Sequence, residues 1–181
     1  MVEKLKAENN VEVEWRPFYL YFDTPPEGRK LSEHVKQARA NRSEERLRSI
    51  ATSYGMEFRS TERIYNTRLA HEATEYAREH GKVNEFHKVV FRKVYAEGED
   101  PSQWDMLRSA AQEVGLDGEA LQKDVESEKY KVNVEEQVRW AYQIGVTGVP
   151  TYVINDRYAI VGAQPYEVFK NALEQIMNRK D

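Results

Sequence analysis

Few residues in this 181-residue chain could do chemistry. It has no cysteine, so its own side chains can form no disulfide, thiolate metal site or thiol nucleophile. The four histidines are His34, His71, His80 and His87. None of them forms the i, i+4 pair of a metalloprotease helix, and imidazoles of the surface or core are the simpler reading. The adjacent acids Glu44-Glu45 and Glu135-Glu136 diverge around a helix and do not converge as a carboxylate dyad. There is no glycine-rich phosphate loop and no serine nucleophile elbow. We expect no metal, no cofactor and no catalytic side chain. One segment stands out: Gly145-Val146-Thr147-Gly148-Val149-Pro150-Thr151-Tyr152-Val153-Ile154. A glycine stops a helix, a second glycine loosens the loop, and a proline opens a β-rich run. Proline is tolerated at a strand's first residue, where no ladder donor is needed. Taken alone, the segment reads as a rigid loop leading into a buried strand.

The elements around this loop follow from periodicity. Val2 and Leu5, closed by Asn9-Asn10, look like the last turns of a helix. Val11-Glu12-Val13-Glu14-Trp15 alternates apolar and charged residues before Pro17, which predicts a strand with one buried face. Asp23-Thr24-Pro25-Pro26-Glu27-Gly28 is turn-rich and predicts an exposed loop. From about Leu31 to Ile144 the pattern is helical. The first stripe is Leu47, Ile50, Ala51 and Tyr54, stopped by Gly55. The next is Leu69, Ala73, Tyr76 and Ala77, capped by Asn66 or Thr67 and stopped by Gly81. Phe86, Val89, Val90 and Val94 run to Gly98. Ser102 is a candidate cap for Trp104, Leu107, Ala111 and Val114. Asp117 opens a short helix through Leu121 to Val125. Tyr130, Val134, Val138 and Tyr142 run to Gly145. These stripes read as packing faces. Two β runs, at Pro150–Ile154 and Tyr158–Val161, flank the turn residues Asn155-Asp156 and predict a hairpin. Pro165 then opens a last helix with Val168, Phe169, Ala172, Leu173 and Ile176 on one face.

Strands flanking a helical block, with a hairpin and helix at the end, indicate an α/β protein and not a pure bundle. The expected division is a core of residues 1–30 and 145–181 with a helical insertion at 31–144. Hydrophobic residues are 40% of the chain, enough for a packed core. A net charge of −4 with no cationic block argues against a nucleic-acid partner. No apolar run reaches membrane length, and the polar N-terminus has no apolar signal core, so a cytoplasmic protein is expected.

The loop segment resembles the Gly-Val-x-Gly-Val-Pro-Thr signature of DsbA-family thioredoxin-fold proteins. Val13-Glu14-Trp15-Arg16-Pro17-Phe18 and the Pro-Pro-Glu-Gly of residues 25–28 resemble the second strand and following loop of the FrnE-type subgroup. Tyr65-Asn66-Thr67-Arg68-Leu69-Ala70, Glu113-Val114-Gly115-Leu116-Asp117 and Val161-Gly162-Ala163-Gln164-Pro165 resemble further blocks in the same order. The resemblance spans nearly the whole chain. It implies a thioredoxin-like, DsbA-type sheet with a large helical insertion, and a cis bond at Val149–Pro150. It implies substrate binding at Thr147, Gly148, Val149 and Pro150, the residue before the proline pairing with a peptide or protein thiol substrate.

The chain also departs from the family. Members begin with a strand and a Cys-x-x-Cys at a helix N-terminus, where the thiolate is stabilised. Here neither the strand nor the cysteines are present, nor the serine that a related isomerase and glutathione-transferase branch uses at the first cysteine's place. The expectation is thiol–disulfide oxidoreductase ancestry without redox activity. The alternatives are a peptide- or protein-binding adaptor on the same fold and a glutathione-dependent isomerase-like enzyme. Without that central strand, the segment at Val11 and the strand at Pro150 would each carry unpaired backbone groups. They could pair directly, borrow a segment from a second copy, or take a partner peptide as a strand, or the strand could be encoded ahead of Met1. A homo-oligomer, namely a dimer, is the expectation.

Overall fold

The computed structural model describes residues 2–40, 44–53 and 55–178. Tyr54, part of the first helical stripe above, lies outside them. The chain forms two compact units, one of Met1–Leu20 with Gln137–Asp181 and one of Tyr21–Glu136.

The unit of Tyr21–Glu136 is helical, with one short ladder. Strand β1 (Arg29–Lys30) pairs antiparallel with β2 (Arg63–Ile64). This ladder interrupts the stretch expected to be helical. The turn before it needs glycine: Gly28 has φ +70°, and a Cβ there would lie 2.6 Å from the Ile64 carbonyl oxygen. Asn66 Nδ2 donates to Thr24 O at 2.7 Å and Arg63 Nη2 to Glu27 O at 2.8 Å, so the turn-rich loop is tied to this unit.

The remaining elements here are α2 (Glu33–Ala40), α3 (Glu44–Ser53), α4 (Arg68–Glu79), α5 (Val83–Arg92), a π-helical turn (Lys93–Glu97), α6 (Trp104–Glu113), α7 (Gly118–Glu126) and the start of α8 (Lys131–Gln143). The stripes of α4, α5, α6 and α7 converge as expected. Ala73, Ala77, Phe86, Leu107, Ala111 and Leu121 are wholly buried in one cluster that Tyr76, Val125 and Tyr130 complete. Asp117 caps α7, its Oδ1 accepting from the N–H groups of Glu119 (2.9 Å) and Ala120 (3.0 Å).

Two expectations need correction. Gln103, not Ser102, is the N-cap of α6. Ser102 turns instead to Asp100, whose Oδ1 accepts both its N–H and its hydroxyl, at 2.9 and 2.6 Å. On α3, Leu47 and Ile50 are exposed and only Ala51 is buried, because α3 packs chiefly on α2 and not on the cluster. Spacing shows which residues share a face, not that the face is covered.

The other unit holds α1 (Val2–Glu8), the end of α8, strands β3 (Thr151–Ile154) and β4 (Tyr158–Val161), and α9 (Tyr166–Asn178). β3 and β4 form the expected hairpin, with Tyr152 opposite Ile160 and Ile154 opposite Tyr158. Asn155 and Asp156 both take positive φ in its turn, a conformation those residue types tolerate. Leu5, Phe169 and Leu173 form the small core. Val11, Tyr152, Ile154, Ile160 and Tyr166 pack on it, and the Tyr152 ring meets Phe169 edge-on at 4.7 Å.

The strand expected at Val11–Trp15 is not formed. The segment keeps its alternating burial, with Val11, Val13 and Trp15 half-buried and Glu12 and Glu14 exposed, yet it joins no ladder. Among the described residues, Glu12, Val13 and Glu14 make no main-chain hydrogen bond. Alternation describes how side chains partition between core and solvent. A strand also needs a neighbour's N–H and C=O groups, and residues 12–14 have none. Direct pairing of this segment with β3 is thereby ruled out as the arrangement of this chain.

Candidate functional site

The four residues singled out, Thr147, Gly148, Val149 and Pro150, form one loop between α8 and β3, and local chemistry fixes both of its ends. α8 stops at Gly145, φ +82°, with Gly145 N–H on Tyr142 O and Val146 N–H on Ala141 O, both at 3.0 Å. This paired capping pattern satisfies two carbonyls of the last turn. At the other end, the Thr151 hydroxyl donates to Gly148 O at 2.7 Å and Gly162 N–H donates to Pro150 O at 2.8 Å. The Val149–Pro150 peptide bond is cis.

Between these anchors the loop faces solvent. Thr147, Val149 and Pro150 are exposed and Gly148 is half-buried. Val149 shows 54% of its surface. Among the described residues none hydrogen-bonds to the main chain of Val149. An exposed apolar side chain beside unpaired backbone groups, on a loop clamped at both ends, suits an extended polypeptide ligand. The loop holds no titratable side chain, and its one hydroxyl is that of Thr147. Among the described residues no cluster of His, Cys, Asp or Glu could hold a metal ion.

Sequence reasoning missed the anchors around α8. The ring centroids of Tyr142 and Phe18 lie 4.9 Å apart, and the Tyr142 hydroxyl donates to Tyr19 O at 2.5 Å. The Arg16 guanidinium sits over the Trp140 ring at 4.5 Å. Residues 16–19 are thus held against the last turns of α8. The partners are more than a hundred positions apart, so no periodicity links them.

The perturbed titratable groups all lie elsewhere, mostly in the helical unit. Burial pulls the His87 imidazole down to about 4, and its ring packs on Phe91 at 4.2 Å. Burial also raises Glu72, which is wholly buried on α4 and takes a 2.7 Å ion pair from Arg68. Burial pushes Tyr130 up to about 12, helped by its hydrogen bond to Glu79. These groups sit in packed or ion-paired positions without a cavity between them, and read as structural charges.

A hairpin and terminal helix over a small core, with a cis-proline opening β3 and a helical block carried between the N-terminal segment and the hairpin, define a thioredoxin-like protein with a helical insertion. More specifically, the chain belongs to the family of the DSBA-like thioredoxin domain, whose model matches residues 1–174. It is 30% identical to the uncharacterized protein YwbO of Bacillus subtilis, over 98% of this chain and 88% of that protein. A shorter likeness, 32% identity over 82 residues, links it to the 2-hydroxychromene-2-carboxylate isomerase of Sphingobium xenophagum, over 45% of this chain and 42% of the isomerase. Among solved structures it superposes on the probable DsbA oxidoreductase SCO1869 of Streptomyces coelicolor with TM-score 0.78 and 27% identity, covering 92% of this chain and 76% of that one. A 2-hydroxychromene-2-carboxylate isomerase shares the fold with TM-score 0.79 at 19% identity, over 97% and 86% of the two chains.

Proposed function

We propose that this chain is a FrnE-type member of its family that binds an extended peptide or protein segment at Thr147–Pro150 and carries out no thiol–disulfide exchange with its own side chains. The observation that carries this reading is the pairing of a kept loop with absent chemistry. The exposed, unpaired main chain of Val149 stands before a cis-proline, in a sequence of 181 residues without one cysteine. Thiol–disulfide exchange requires a thiolate to attack and another to leave, and no other side chain supplies either. Binding needs only shape, exposed apolar surface and main-chain partners, which the loop offers. Among the described residues no helix is long and apolar enough to cross a membrane. A cytoplasmic location belongs to the same proposal.

The test has two arms. Insulin reduction and dithiol oxidation are expected to run at the uncatalysed rate with this chain present, and turnover at neutral pH would falsify the redox-silent reading. Fluorescence titration with a reduced, unfolded substrate protein is expected to show binding that Val149→Asp weakens at least about tenfold, as burial of an unpaired charge at a contact requires. A second reading, a glutathione-dependent isomerase-like enzyme, draws on the likeness to the Sphingobium isomerase. Heat on calorimetric titration with glutathione would favour it.

A further inference from the structure

We draw no further inference here: the strongest candidate, the aromatic surface patch of the helical unit in which Phe58 and the exposed Phe91 pack on the exposed Tyr95 and His87 packs on Phe91, carries nothing, because nothing in the structure shows what covers it.

Discussion

The two units solve the same problem to different degrees. The helical unit closes on itself: its stripes meet in a cluster where Ala73, Ala77, Phe86, Leu107, Ala110, Ala111 and Leu121 have no exposed surface. Helices satisfy their own backbone hydrogen bonds, so such a unit needs only side-chain packing to be complete. The hairpin unit buries three residues in its core, Leu5, Phe169 and Leu173, at 7%, 2% and 9% exposure. It leaves main-chain groups of residues 12–14 and 149 without partners among the described residues. A sheet is a collective structure, and each strand depends on its neighbours for hydrogen bonds. The proposed binding loop accordingly lies in the hairpin unit, and the larger buried core in the helical one.

That contrast breaks most directly at the two phenylalanines. Phe86→Ala removes a wholly buried ring from the closed cluster and is expected to cost about 3–5 kcal/mol. Phe169→Ala should cost less, about 2–3 kcal/mol, because the small core around it can collapse into the space. Urea unfolding gives the totals, and amide exchange assigns each loss to its unit. Equal losses would show that the hairpin core is as tightly determined as the helical one.

A pH titration sharpens the comparison, since the most depressed base lies in the helical unit. His87 has its folded value near 4, below the ordinary 6.5. Between those values the unfolded chain binds a proton that the folded state refuses, so stability is full above pH 6.5 and falls as pH drops towards 4. The loss should reach roughly 2 kcal/mol, and His87→Gln should remove that part of the slope. An unchanged slope in the variant would mean that the imidazole is charged in the folded state. A smaller effect is expected at the α7 cap. Asp117→Ala leaves the Glu119 and Ala120 N–H groups unmet and should cost about 1 kcal/mol, with Asp117→Asn recovering most of it.

How much could be read beforehand follows the same line. The helices from α4 to α8, the Asp117 cap, the glycine stops and the Asn155-Asp156 turn were all legible, because each depends on residues within a few positions of one another. The hairpin and the loop Thr147–Pro150 were legible as elements, and the family resemblance gave the loop its meaning. The failures were non-local. Val11–Trp15 has the alternation of a strand without a neighbour to pair with, and Leu47 and Ile50 have the spacing of a core face without a core beside them. The β1–β2 ladder joins residues more than thirty positions apart across only two residues each, too short for any period to register. The Tyr142 to Tyr19 anchor is longer in range still.

The smallest expected effect on stability is the most telling about function. Val149 exposes 54% of its surface and, among the described residues, no group is bonded to its main chain, so Val149→Ser removes little that folding uses. Its cost should stay within about 0.5 kcal/mol, the range of surface substitutions away from caps and cores. If the loop is a binding surface, the same change should weaken peptide affinity about threefold to tenfold, since the lost methyl contacts matter only when a ligand covers them. Thr151→Val should behave in the opposite sense. It removes the hydroxyl that donates to Gly148 O and should lower stability by about 1 kcal/mol, leaving the apolar character of β3 intact. A loop shaped for folding would show its larger loss at Val149 in the unfolding curve. A loop shaped for a ligand shows it in the titration, and the two variants measured side by side separate these cases.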